Sequence, residues 1–158
     1  MPEDSSRAFS FFLETQQRLL TAILNRIIPA DDRFPGAGDL GVASYLDAVI
    51  GRSADLRRLF GEGLGQIEIV SQERYGQGFL NLPESQQETV LRQVESTHAE
   101  FFATLVLHTY SGYYTHPEVV RLLGPDVRPP QPAGYHLEPF DHGLLESVQR
   151  RGPMYRDA

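Results

Sequence analysis

The chain contains no cysteine and no lysine. Without cysteine there can be no disulfide, thiolate zinc site, cysteine-ligated iron–sulfur cluster or thiol nucleophile within it. Without lysine, all 14 basic side chains are arginines, against 21 aspartates and glutamates, for a net charge of −7. They form no basic stripe, so no nucleic-acid partner is expected, because phosphates need clustered positive charge. No apolar run approaches the roughly 20 residues that span a bilayer, so no membrane span is expected. The start, "MPEDSSRAFSFF", shows neither a twin arginine nor a signal-type apolar segment, and by itself the chain reads as cytoplasmic. Also missing are the glycine fingerprints of dinucleotide and phosphate binding and the Gly-x-Ser-x-Gly nucleophile turn. Neither a strand-like alternation of useful length nor a repeat with a period of about 20–50 residues occurs.

What is present is helical patterning. The 158 residues are 41% hydrophobic, enough for one packed core. Residues 9–28 place apolar pairs at helical spacing, Phe12/Leu13, Leu19/Leu20, Ile23/Leu24 and Ile27/Ile28, and Pro29 ends that helix. Asp39 is placed to cap a second helix whose face is Val42, Tyr45, Leu46, Val49 and Ile50, with Gly51 at its end. A third runs from Ser53 or Asp55 towards Tyr75. Gly61, Gly63 and Gly65 weaken or break it, or else mark a surface where a partner backbone comes close. "YGQGFLNL" reads as a loop. A fourth helix opens at "PESQQE", with Ser85 and Glu88 spaced for a capping box. A fifth carries "HAEFFATLVLHTYSGYY" and ends near Gly112. Pro117 starts a short sixth. The expected fold class is all-α, an irregular bundle of about five main helices over residues 1–123, followed by a proline-rich extended arm over 124–158. Six of the eleven prolines fall in that arm, together with Tyr135, Leu137, Phe140, Leu144, Leu145, Val148 and Tyr155. Apolar anchors on such an arm imply burial, against this chain's own bundle or against a partner protein.

Candidate chemistry is sparse. Glu95 and His98 have the Glu-x-x-His spacing of di-iron bundles, but no second such pair exists. His98 and His108 lie about a quarter turn apart around a helix. Asp31 and Asp32, in "PADD", could serve a metal or acid/base chemistry, but neighbours in sequence point apart, and aspartates readily hold nearby backbone amides. The residues alone therefore describe a helical protein without a complete catalytic, cofactor or metal site. A stand-alone metalloenzyme using Glu95, His98, His108, Asp31 and Asp32 remains as an alternative, as does a small adaptor or chaperone with several clients.

Four stretches carry a resemblance: "RIIPADDRFPGAGDLGVASYLD", "RYGQGF", "FFATLVLHTYSGYYTHP" and "PPQPAGY". In that order they resemble the small (gamma) subunit family of gluconate 2-dehydrogenase, over roughly Leu19 to Tyr155. The resemblance implies a non-catalytic accessory subunit that stabilises and helps mature a large catalytic subunit of the glucose-methanol-choline type. That large subunit would bind FAD and oxidise a sugar, sometimes passing electrons to a cytochrome c type acceptor. No cofactor is implied in this chain itself. The resemblance also implies that the pair could be periplasmic if a partner carries a twin-arginine signal. Partner contacts are expected at Asp31, Asp32, Tyr113, Tyr114, Pro117, Tyr135, Phe140 and Tyr155. The chain departs from the gluconate pattern after Pro117, where "EVVRLLG" stands in place of a Gly-Gly-Asn stretch. A glycoside 3-dehydrogenase type of complex is therefore an expectation equal to the gluconate type.

Overall fold

A computed structural model describes residues 11–124, and among them there are six α-helices and no strand. The helices are α1 (Glu14–Ile27), α2 (Val42–Ile50), α3 (Ala54–Tyr75), α4 (Glu84–Thr97), α5 (Ala99–Tyr114) and α6 (Pro117–Leu123). A 3-10 turn, Phe79–Asn81, lies within the expected loop between α3 and α4. The all-α expectation holds. Tyr135, Phe140, Tyr155 and the rest of the arm lie outside the described residues.

α1 begins later than its apolar pattern, because the Asp47 carboxylate on α2 captures the backbone ahead of it. Oδ1 accepts from the Phe12 N–H at 2.7 Å and Oδ2 from the Phe11 N–H at 3.3 Å. Gln16 then returns its side-chain oxygen to the Leu13 N–H at 3.0 Å, half of a capping box. Asp39 does not cap α2. The N-cap is Gly41, at φ +82°, and Asp39 is engaged by Asn25 instead. Ser53 caps α3 as expected, accepting from the Leu56 N–H. The Ser85/Glu88 box does not form: Pro83 itself is the N-cap of α4, which puts Ser85 inside the first turn. α5 continues two residues past Gly112.

The core is one cluster. Leu20, Ile23 and Leu24 of α1, Leu46 and Ile50 of α2, Phe60, Leu64 and Ile67 of α3, Phe79 of the 3-10 turn, Val90 and Val94 of α4, and Phe101 and Leu105 of α5 are all fully buried within it. Its centre is aromatic: the Phe60 and Phe101 rings meet edge to face at 5.3 Å, and Phe12 closes on Phe60 at 6.4 Å. Here the three glycines of α3 find different explanations. α3 is unbroken across them. Gly63 is buried beneath the Phe101 ring, which a Cβ there would strike, whereas Gly61 and Gly65 face open space.

Replacing Gly63 by valine should therefore destabilise the fold by about 1–3 kcal/mol through overpacking. Gly65→Ala should raise stability by up to about 1 kcal/mol, since a glycine is removed from a helix at no steric cost. Urea denaturation of the two variants checks both signs.

Candidate partner-docking site

The corner between α1 and α2 is built around Asp31. Its Oδ1 accepts from the backbone N–H of Arg33 at 2.8 Å and of Phe34 at 2.7 Å, and its own N–H donates to the Phe34 carbonyl at 2.9 Å. This is an aspartate-closed turn. Those two amides, Arg33 first and Phe34 second, hold the Asp31 carboxyl below the usual aspartate range. Asp32 is exposed. Only the first of the two neighbouring carboxylates is thus structural, and the pair forms no joint acid/base site.

The loop that follows is pressed onto α1. Asn25 Oδ1 accepts from the Gly38 N–H at 2.8 Å and the Asp39 N–H at 3.2 Å, and its amide donates to Asp39 Oδ1 at 3.0 Å. A side chain at Gly38 would run into the Thr21 carbonyl. Further along, the Tyr113 hydroxyl donates to the Pro35 carbonyl at 2.7 Å, tying the end of α5 to the corner. Burial raises the Tyr113 pKa, with the neighbouring Tyr114 hydroxyl and Asp31 carboxylate adding to it, so the phenol stays a donor at neutral pH. On the other side the Arg33 guanidinium donates to the Leu122 carbonyl at 2.6 Å and lies 5.2 Å over the Phe34 ring. That carbonyl is among those a helix end leaves unpaired, and a cation there also suits the helix dipole. Arg33 and Asn25 were not singled out by sequence reasoning. A polar asparagine near the end of an apolar stripe was the available signal for one. Nothing local marks the other.

Around this corner α5 shows an unusual surface. Its inner stripe, Phe101, Leu105, Thr109 and Tyr113, is buried. Its outer stripe, Ala103, Leu107, Tyr110 and Tyr114, has helical spacing too, yet all four are exposed, Leu107 by 62%. Tyr110 and Tyr114 stack with ring centroids 5.8 Å apart, and Tyr114 meets Tyr113 edge to face at 5.3 Å. A second apolar stripe on a helix is ordinarily covered as the first is. Of the expected contact residues, the structure joins Asp31 and Tyr113 at the corner and sets Tyr114 on the outer stripe. Pro117 is an exposed first residue of α6, with His116 capping it from Nδ1.

The metal alternative is not assembled here. Among the described residues, no group of three or more histidines, aspartates or glutamates is close enough to hold an ion. His98 instead joins α4 to α5, its Nδ1 2.9 Å from the Thr97 hydroxyl. Among the described residues, no helix is long and apolar enough to cross a membrane.

Asp31→Ala should lower the melting temperature by a few degrees at pH 7, while Asp32→Ala leaves it unchanged. Folding lowers the Asp31 pKa, so its contribution is present above the ordinary value of about 4. It is lost as the pH falls through the lower folded value. The gap between wild type and Asp31→Ala should therefore close towards acid, as thermal melts across pH would record.

No curated protein and no solved structure matches the chain. A family does: residues 14–123 match the sequence profile described as gluconate 2-dehydrogenase subunit 3. That span runs from the first residue of α1 to the last of α6, and the chain belongs to the gluconate 2-dehydrogenase subunit 3 family.

Proposed function

We propose that this chain is the non-catalytic small subunit of a sugar-oxidising dehydrogenase, and that it stabilises and helps mature a large FAD-binding catalytic subunit. The observation that carries the proposal is the outer stripe of α5. Leaving Leu107, Tyr110 and Tyr114 in water forgoes roughly 25 cal/mol for each Å² of apolar surface that a partner could cover. Tyrosines with an apolar body and a polar tip are also the anchors favoured at interfaces. A stable contact buries about 1,200–2,000 Å² in total, so the stripe would be the centre of a wider footprint that includes the corner. Membership of a dehydrogenase-subunit family supports a partner of this kind.

In this reading the flavin and the chemistry belong to the large subunit, of glycoside 3-dehydrogenase or gluconate 2-dehydrogenase type. A cytochrome c type protein would accept the electrons. Export to the periplasm would follow from a twin-arginine signal on the partner.

Co-expression with a large flavoprotein encoded beside it should yield a yellow, active complex. The variant Leu107→Asp, at a side chain 62% exposed, should fold with an unchanged melting temperature, yet lower the yield of complex at least about tenfold. A large chain that is equally soluble, flavinated and active without this subunit would overturn the proposal. Recovery of many unrelated partners would favour a general adaptor instead.

A further inference from the structure

α4 and α5 enclose an apolar groove beside the outer stripe of α5. Its floor is Leu91 of α4 with Phe102 and Val106 of α5. At one end α5 lines it with Ala99 and Ala103, at the other with Tyr110. Ala99 and Ala103 are exposed, and Leu107 of the stripe lines the groove too. From Ala99 to Tyr110 α5 rises about 17 Å, roughly three helical turns.

The wall on α4 is charged. Glu88, Arg92 and Glu95 line it in that order, and all three are exposed. Spaced by four residues and then three, they share one face of α4. Arg26 of α1 stands beside Glu88, but its guanidinium is already held by Glu84 at 2.7 Å. That end of the groove thus sets one cation against two carboxylates. Among the described residues neither Arg92 nor Glu95 has an ion-pair partner. The wall therefore reads negative, positive, negative beside an apolar floor.

Both walls are helices, whose backbone N–H and C=O groups bond within each helix. An extended partner strand would find no sheet edge to pair with. A helix suits the site, because its side-chain ridges fit the furrow between two others.

We infer that the catalytic subunit docks in this groove with an amphipathic α-helix about three turns long. The inference rests on the subunit reading and adds the chemistry of the contact. The docked helix sets a bulky apolar side chain over Ala99 and Ala103, and a small one beside Tyr110, whose ring narrows the groove. Its flank towards α4 carries two basic residues about seven apart, opposite Glu88 and Glu95, with an acidic one between them opposite Arg92. Leu107 and Tyr114 meet the same partner beyond the groove.

The chain has no cysteine, so Ala103→Cys gives the full-length subunit a single thiol, inside the groove. Maleimide should label it at least about tenfold more slowly in the purified complex than in the subunit alone, since a covered thiol reacts slowly. The charge exchange Arg92→Glu/Glu95→Arg keeps the net charge, and both positions are exposed. It should leave the subunit folded, by circular dichroism, and lower the yield of complex about tenfold. Cryo-electron microscopy of the complex should place a helix over Ala99 and Ala103. A thiol already shielded in the subunit alone would assign the groove to this chain's own segments or to a second copy, and would overturn the inference. A loop or strand of the partner in the groove would overturn it as well. If Leu107→Asp abolishes assembly while the charge exchange leaves it normal, the groove helix fails and the subunit reading stands. If the wild-type chain forms no complex at all, the subunit reading fails and takes this inference with it.

Discussion

The seating of Phe101 over Gly63 fixes the rest of this structure. A phenyl ring can lie against the backbone of α3 only where α3 has no side chain, and Gly63 is that place. Once the ring is there, Phe60 meets it edge to face, and Leu105 and Thr109, one and two turns on, face inward as well. The rotation of α5 about its axis is then set. The same rotation turns Ala103, Leu107, Tyr110 and Tyr114 outward. The exposed stripe is thus a geometric result of how the core closes, and it could not be buried within this bundle without removing Phe101 from its notch.

The corner solves a different problem. The chain must pass from α1 to α2 through a tight loop whose amides would otherwise lack partners. Asp31 and Asn25 each accept two backbone N–H groups of that loop, and Asp47 on α2 accepts two more from the chain just ahead of α1. Arg33 and Tyr113 extend the loop to α6 and α5. The one described ion pair, Arg26 with Glu84 at 2.7 Å, matters less, because Glu84 is 76% exposed and solvent screens it.

The helices were legible in the sequence because apolar spacing reports which face is buried. The stripe Leu20, Ile23, Leu24 and the run from Phe101 to Thr109 are examples. The ends were less legible. Asp39 and Ser85 have the right chemistry to cap a helix, but Asn25 claims one, and the N-cap role of Pro83 sets the other inside its helix. Such competition is long-range, and local sequence does not record it. The glycines of α3 show the same limit: three identical residues at two-residue spacing, with a ring across only the middle one. The outer stripe was hidden for another reason. Periodicity shows that α5 is apolar on several sides, but not which side the bundle uses. In "PADD" the sequence marked the right place for the corner, while the division of labour between Asp31 and Asp32 needed coordinates.

α6 has only seven residues, fewer than the roughly 12–15 at which an isolated helix becomes even marginal in water. It exists because Val119 is buried, His116 caps its start and Arg33 holds its end. Such an element opens at a lower free energy than the bundle around it. α6 is therefore a joint held by tertiary contacts and not by its own helix propensity.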